Sequence, residues 1–373
     1  MKKILISILL LVLTLLYSKL TYAESGVEND IKKLSLEQAV EIGINNSTDI
    51  KTTDLDIEIK EIELDKAKHN EKKYENAKDY GFSLGTVEGF QLDSNMFSKS
   101  AEYSLEEEKI KKNYKVEDIK YNVIRAYYDA IQSRDSLNVT KDNLKNIQRN
   151  RDEVSNKLKL GVASKSDLLM ADISLDEAKS NVEKARTDFQ KSLRNLNMTL
   201  NYPLETKLYL TSDFKEVDFD TDLEKDLEEA YNQRFDMIKM NHNYEIVKLD
   251  FETNFIKYPE NTYTYKIKER NVTKIENLLS DNKRNIEFDI KGKYDAVISG
   301  KKQISLAKAN VERAKEGLRL KNLSYSSGMC TILEVKQSTN QLYNAQLCLS
   351  SSISSYNLAI LDYKKAITIG AIR

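Results

Sequence analysis

Proline and glycine are scarce in this chain. Its 373 residues include 2 Pro and 11 Gly, where average usage would give about 19 and 26. Few turn formers and few helix breakers disfavour a many-stranded, many-turned fold and permit long helices. Two His, two Cys and no Trp leave little material for a metal cage, a disulfide framework or a His-dependent triad. Charge of one sign is lacking too. The 58 Lys and Arg offset 59 Asp and Glu, a net charge of −1, so no global field attracts nucleic acid or an anionic membrane. There is no Gly-rich phosphate loop and no zinc-ligand spacing. No cofactor or metal is expected. Length alone would permit two or three domains.

Long apolar runs are missing except at the start. Lys2 and Lys3 precede the apolar stretch Ile4 to Tyr17, and Thr21-Tyr22-Ala23 offers a cleavage site. This reads as a signal peptide over residues 1–23, because the run is shorter than the ~20 residues that a membrane span needs. No Cys follows that could accept a lipoprotein anchor. The mature chain is therefore expected outside the cytoplasm or in the cell envelope. Cys330 and Cys348 fall on what reads as one helix, about 27 Å apart at ~1.5 Å per residue, and so are expected as two separate thiols.

What is present is an internal repeat. A shift of 167 residues lays Lys157–Pro203 on Ser324–Gly370 without a gap. Gly161 falls on Gly328, Asp167 on Glu334, Leu168 on Val335, Ala178 on Ala345 and Phe189 on Tyr356. Upstream, Tyr128-Asp129-Ala130-Ile131 resembles Tyr294-Asp295-Ala296-Val297 with one residue of slippage, and Leu36-Glu37-Gln38-Ala39 resembles Leu227-Glu228-Glu229-Ala230. The chain thus divides into a first repeat over 24–203, a linker over 204–222 and a second repeat over 223–373.

Each repeat contains a helical hairpin with a heptad seam. One column reads Leu168, Leu175, Val182, Phe189, Leu196, and its companion reads Ala171, Ala178, Ala185, Ser192, Thr199. The second repeat gives Val335, Leu342, Leu349, Tyr356, Tyr363 beside Ser338, Ala345, Ser352, Ala359, Ala366. The preceding helices carry Val123, Ala130, Leu137, Leu144, Arg151, Leu158 and Val297, Ile304, Val311, Leu318, Tyr325, with Gly300, Ala307 and Ala314 beside the latter. Large residues in one column and small ones in the other let neighbouring backbones approach closely. The remaining faces are charged and solvated. The first long helix is expected from Ser104 to Leu160, about 85 Å, too long for a compact domain. Tyr80–Gly85 and Thr262–Ile267 alternate weakly like strands at the opposite end from Gly161 and Gly328.

Two segments then stand out. Lys159-Leu160-Gly161-Val162-Ala163-Ser164-Lys165-Ser166-Asp167-Leu168-Leu169 and Tyr325-Ser326-Ser327-Gly328-Met329-Cys330-Thr331-Ile332-Leu333-Glu334-Val335 each place an acid and then an aliphatic six and seven residues after a Gly. With Leu342-Tyr343-Asn344-Ala345, Leu36–Lys51 and Asn232-Gln233-Arg234-Phe235-Asp236-Met237, they resemble the TolC-like outer-membrane efflux protein family over nearly the whole mature chain. Phe235 stands where Pro is usual.

The resemblance implies a mainly α fold, two tandem repeats of long antiparallel coiled-coil hairpins that form a trimeric α-barrel. It implies a passive exit duct for an efflux or type I secretion system, carrying small molecules or proteins across the envelope. Its partners would be a periplasmic adaptor (membrane fusion) protein and an inner-membrane pump, and its place the outer membrane and periplasm. Gly161, Val162, Ser164, Gly328 and Thr331 would form the turn tips that dock the adaptor. Asp167 and Tyr325 match a tip gate, with Cys330 where the family has an Arg. Glu334 matches one acidic aperture ring, and Gln337 replaces the other. Asp167 and Glu334 read equally well as first-turn caps of the helices that follow.

The chain departs from the family in its membrane part. The regions Tyr80–Tyr103 and Tyr258–Lys293 are too charged for four apolar-faced transmembrane β-barrel strands, so β elements are expected to be small or reduced. The alternative reading is an exported structural or adhesive coiled coil without transport. An enzyme is disfavoured, because His69 and His242 lack a catalytic neighbourhood. A lipid-surface protein is disfavoured because the apolar stripes are narrow.

Overall fold

A computed structural model of the chain describes residues 31–370 except 83, 213, 214, 256 and 257. The signal peptide expected over 1–23 lies outside the described residues. Two short strands, β1 (Lys32–Leu34) and β2 (Leu208–Leu210), pair in parallel. The helices are α1 (Leu36–Asn45), α2 (Thr48–Asp79), α3 (Val87–Asp93), α4 (Met96–Lys159), α5 (Lys165–Thr199), α6 (Leu223–Gln233), α7 (Phe235–Phe255), α8 (Tyr263–Ser326) and α9 (Ile332–Thr368).

Two helices of 64 residues, α4 and α8, set the scale at about 96 Å each. Neither has a single partner of equal length. Toward Lys159 α4 pairs with α5, and toward Met96 it pairs with α2. In the same way α9 and α7 together line α8. Because α4 also packs on α9 and α7, the chain is a wall of four columns: α5 with α2, then α4, then α9 with α7, then α8. Neighbouring columns run antiparallel.

The predicted seams are where the wall is packed. Val123, Ala130, Val297, Ile304 and Tyr356 are fully buried, and the other positions of these heptad columns are buried or half-buried. Each buried Val or Ile contributes roughly 1.5–3 kcal/mol. At Gly300 a Cβ would sit 3.3 Å from Tyr356 Cδ2 and 3.4 Å from Tyr356 Cα. The missing side chain is what lets α8 lie against the Tyr356 turn of α9.

The helix ends that meet inside the columns are satisfied by side chains. Where α5 stops and α2 starts, Asn46 Nδ2 donates to the Leu200 carbonyl at 3.0 Å and Asn201 Nδ2 donates to the Asn46 carbonyl at 2.9 Å. At the matching junction Arg234, buried, donates to the Ala366 carbonyl at 3.0 Å and forks onto Asp236 at 3.0 and 2.7 Å.

Described residues between α5 and α6 reach both cores. Leu208 and Leu210 belong to the core around Val123 and Tyr127, while Val217 and Phe219 pack on the core around Val297 and Tyr356. The repeat register upstream differs from the sequence match. Ser35 caps α1 and Asp222 caps α6, so Leu36 corresponds to Leu223, one turn earlier than Leu227.

Three further expectations change. Thr262–Ile267 is not strand-like: Thr262 caps α8, its Oγ accepting from Tyr265 N at 3.2 Å. At Tyr80–Gly85 the described residues form a turn, with Gly81 at φ +84°. Residues 87–93 and 96–103, like 263–293, are helical. Alternation there is overridden by helix-forming Lys and Glu and by the Thr262 cap. The first long helix starts at Met96 rather than Ser104, and Cys330 lies two residues before α9 rather than on it. Both thiols are free.

Overpacking at the Gly300 contact is expected to cost about 1–3 kcal/mol in a Gly300→Leu variant. Gly292→Ala, in open space within the same helix, should instead gain about 0.5–1 kcal/mol. Thermal unfolding followed by circular dichroism distinguishes the two, with a lower and a higher Tm than the parent.

Candidate functional site

The two hairpin turns are built alike, residue for residue. Gly161 and Gly328 have φ of +75° and +73°, the left-handed region in which a Cβ is strained. Each closes its helix by a paired turn. Gly161 N donates to the Leu158 carbonyl at 3.0 Å and Val162 N to the Lys157 carbonyl at 2.9 Å. Gly328 N donates to the Tyr325 carbonyl at 3.1 Å and Met329 N to the Ser324 carbonyl at 2.8 Å.

The next helix then starts with a reciprocal cap. Ser164 Oγ accepts from Asp167 N at 3.1 Å while Asp167 Oδ2 accepts from Ser164 N at 2.9 Å. Thr331 Oγ1 accepts from Glu334 N at 3.4 Å while Glu334 Oε2 accepts from Thr331 N at 2.9 Å. These bonds to Ser164 hold the Asp167 carboxyl below its usual range. The Glu334 carboxyl is pulled from 4.5 to about 2, first by Lys321 and then by Thr331. Lys321 Nζ stands 2.8 Å from Glu334 Oε1.

The structure brings both tips to one end of the wall. Val154, Ala171, Leu318, Tyr325, Ile332 and Val335 form a buried cluster across the two hairpins. Around it Leu160, Val162, Leu169 and Met329 are exposed, as are Gly161, Ser164, Gly328, Thr331 and Gln337. Of the gate set, Tyr325 is buried, and burial raises its hydroxyl above the ordinary value, with Glu153 and Asp167 adding to the shift. The hydrogen bonds of Asp167 go to its own cap residue, Ser164. Cys330 Sγ donates to the Lys321 carbonyl at 3.4 Å.

Two tip residues were not singled out by sequence reasoning. Lys321 binds Glu334, and Lys157 binds the Tyr325 carbonyl at 2.6 Å. The only sequence signal for Lys157 was its i,i+4 spacing from Glu153, which it meets at 3.5 Å. Away from the tips, His69 is exposed. His242 is half-buried between columns, stacked on Tyr103 at 4.2 Å with Nδ1 3.0 Å from Glu107. It borders an open cleft of about 810 Å³ that Lys239 and Asp289 also line.

This geometry defines a class: an elongated, tandemly repeated helical wall with two capped turns at one end. No protein-family profile and no curated relative matches the sequence. Solved structures do. CusC, described for conformational changes accompanying folding and transmembrane channel formation, superposes with a TM-score of 0.73 at 12% identity, covering 90% of this chain and 92% of that one. The Campylobacter jejuni outer membrane channel CmeC gives 0.66 at 12% identity, over 91% and 85%. The open state of the Neisseria gonorrhoeae outer membrane channel MtrE gives 0.64 at 14% identity, over 90% and 89%. The chain has the TolC-like fold of these channel proteins.

The tip caps make a pH prediction. Glu334 is depressed in the folded state, so its contribution is present above about pH 4.5 and lost as the pH falls through about 2. Amide exchange at residues 331–334 should therefore speed up between pH 4.5 and 2 beyond its intrinsic pH trend. A Glu334→Gln variant should follow the intrinsic trend alone.

Proposed function

We propose that this chain is a TolC-like exit duct of an efflux or type I secretion system, three copies of which enclose a passive tunnel through the cell envelope. One observation carries the reading: two equivalent capped turns, Gly161–Asp167 and Gly328–Glu334, lie at the same end of a four-column helical wall whose fold is similar to that of outer-membrane channels. A spacer needs a rod, and a rod does not require its two repeats to end in matched tips.

The wall has two free edges. Its first column exposes Leu55, Ile59 and Ile62 on α2, and its last exposes Leu278, Phe288 and Leu306 on α8. Such apolar groups on edge helices support side-by-side closure with further copies. Water on both faces of the wall explains why charged side chains are tolerated everywhere off the seams. A periplasmic adaptor and an inner-membrane pump would supply contact and energy, with the exposed Gly161, Val162, Ser164, Gly328 and Thr331 as the docking tips. The helical residues 87–93, 96–103 and 263–293 support a duct whose far end differs from a twelve-stranded membrane barrel.

At the aperture, three Glu334 carboxylates would attract cations. Lys321 beside each one weakens that ring. Purified mature protein should appear as a hollow cylinder of three subunits in negative stain; a solid rod would favour the structural coiled coil. In planar bilayers Glu334→Lys should shift the reversal potential in a salt gradient toward anions, and Lys321→Gln should shift it toward cations. Identical selectivity in both variants would remove Glu334 from the aperture.

A further inference from the structure

Lys157 lies in the last turn of α4, on the first hairpin. Tyr325 lies in the last turn of α8, on the second. The Lys157 ammonium sits 3.6 Å from the centroid of the Tyr325 ring and 2.6 Å from the Tyr325 carbonyl oxygen. One cation thus meets a π face, a carbonyl at the negative end of a helix, and the Glu153 carboxylate at 3.5 Å. Tyr325 is 8% exposed and the Lys157 side chain 20%. With most water excluded, each attraction is stronger than on an open surface.

The contact also reaches the turn itself. The Tyr325 carbonyl that accepts from Lys157 accepts from Gly328 N at 3.1 Å as well. Holding that carbonyl holds the second tip. Other charged groups at the tip are differently engaged. Glu334 is bound by Lys321, Asp167 by Ser164, and Arg151 by Asp172 within its own hairpin at 2.8 Å. A second charged tie between hairpins, Lys336 to Glu177, is longer at 3.4 Å, and Glu177 is 59% exposed, so salt screens it.

We propose that Lys157 is the latch of the tip aperture: a cation supplied by the first hairpin that holds the turn of the second in place. This rests on the conduit reading above. In that reading the resemblance puts an Arg at the position of Cys330, whose Sγ contacts the Lys321 carbonyl on its own hairpin instead. Lys157 reaches the same Tyr from the opposite hairpin. A partner that opens the tip must offer the ammonium a better acceptor, such as a carboxylate, or draw the Tyr325 turn away from it.

Three full-length mature proteins test this: the parent, Lys157→Met, which keeps most of the stem without the charge, and Lys157→Arg, which keeps a cation. Each is measured for current in planar bilayers and for amide exchange over residues 318–328. Lys157→Met should raise the time-averaged current about tenfold and speed exchange at Gly328 and Met329, whereas Lys157→Arg should stay within about twofold of the parent. Unchanged current and exchange in Lys157→Met, with the parent conducting, overturns the latch and leaves the conduit standing. Equal gains in Lys157→Met and Lys157→Arg also overturn it, because packing rather than charge would then be at work. A solid rod in negative stain for all three, with exchange altered as expected, overturns the conduit reading and with it the gating role.

Discussion

A helix of 64 residues cannot be matched by one shorter partner, and this mismatch organises the molecule. Each long helix is lined by two helices stacked end to end: α5 and α2 along α4, α9 and α7 along α8. Stacking brings a helix end into the middle of the wall, where unsatisfied carbonyls are costly. Two different solutions meet the same need. Asn46 and Asn201 exchange neutral bonds with Leu200 and Asn46 carbonyls. Arg234 uses a buried guanidinium held by Asp236 and, at 3.4 Å, by Asp289. Gly370, at φ +62°, must lack a side chain, because a Cβ there would lie 2.5 Å from the Arg234 Nε.

The seams below and above these junctions differ in kind. From Val123 downward α4 buries Ala126, Tyr127, Ala130, Ile131 and Leu137. Between Met96 and Val123 its buried residue is Ser98, whose N–H donates to Glu71 at 2.8 Å. The α2–α4 contact relies on surface ion pairs such as Lys112–Asp54 and Lys109–Glu61, each worth at most about 1 kcal/mol. The tip half is therefore the stable half of a single chain. The far half gains from any neighbour that covers Leu55, Ile59 and Ile62.

Much of this was legible in the sequence, and for identifiable reasons. A heptad column is a long, redundant signal, so Leu168 to Leu196 and Val335 to Tyr363 located their seams. Gly161 and Gly328 were legible because a left-handed turn selects Gly and because the repeat shows it twice. Local alternation is a weaker signal. Tyr263-Thr264-Tyr265 looks like a strand for a few residues, but the helix continues from there to Ser326 and decides the matter. The match of Leu36 with Leu227 slipped by one turn because a short amphipathic helix resembles itself at i+4. Lys157 and Lys321 were invisible for another reason. Among so many Lys on solvated faces, only three-dimensional proximity distinguishes the two that bind Tyr325 and Glu334.

At the tip the acids that follow each turn are taken up by capping. Asp167 and Glu334 begin helices, and capping needs a carboxylate three residues after a hydroxyl. That requirement fixes each acid within a turn of the apex, which is also where an aperture would be narrowest. Capping leaves Asp167 little freedom, since the oxygen Oδ2 already accepts from both Ser164 N and Ser164 Oγ. A movable tie therefore has to come from a residue outside the caps. Lys157 meets that condition: it is one turn before Gly161, it carries a long flexible stem, and, besides Glu153 of its own helix, it binds the ring and carbonyl of Tyr325 on the other hairpin. Rigid turns with a separable link between them are what a closed tip needs if it is to open without unfolding.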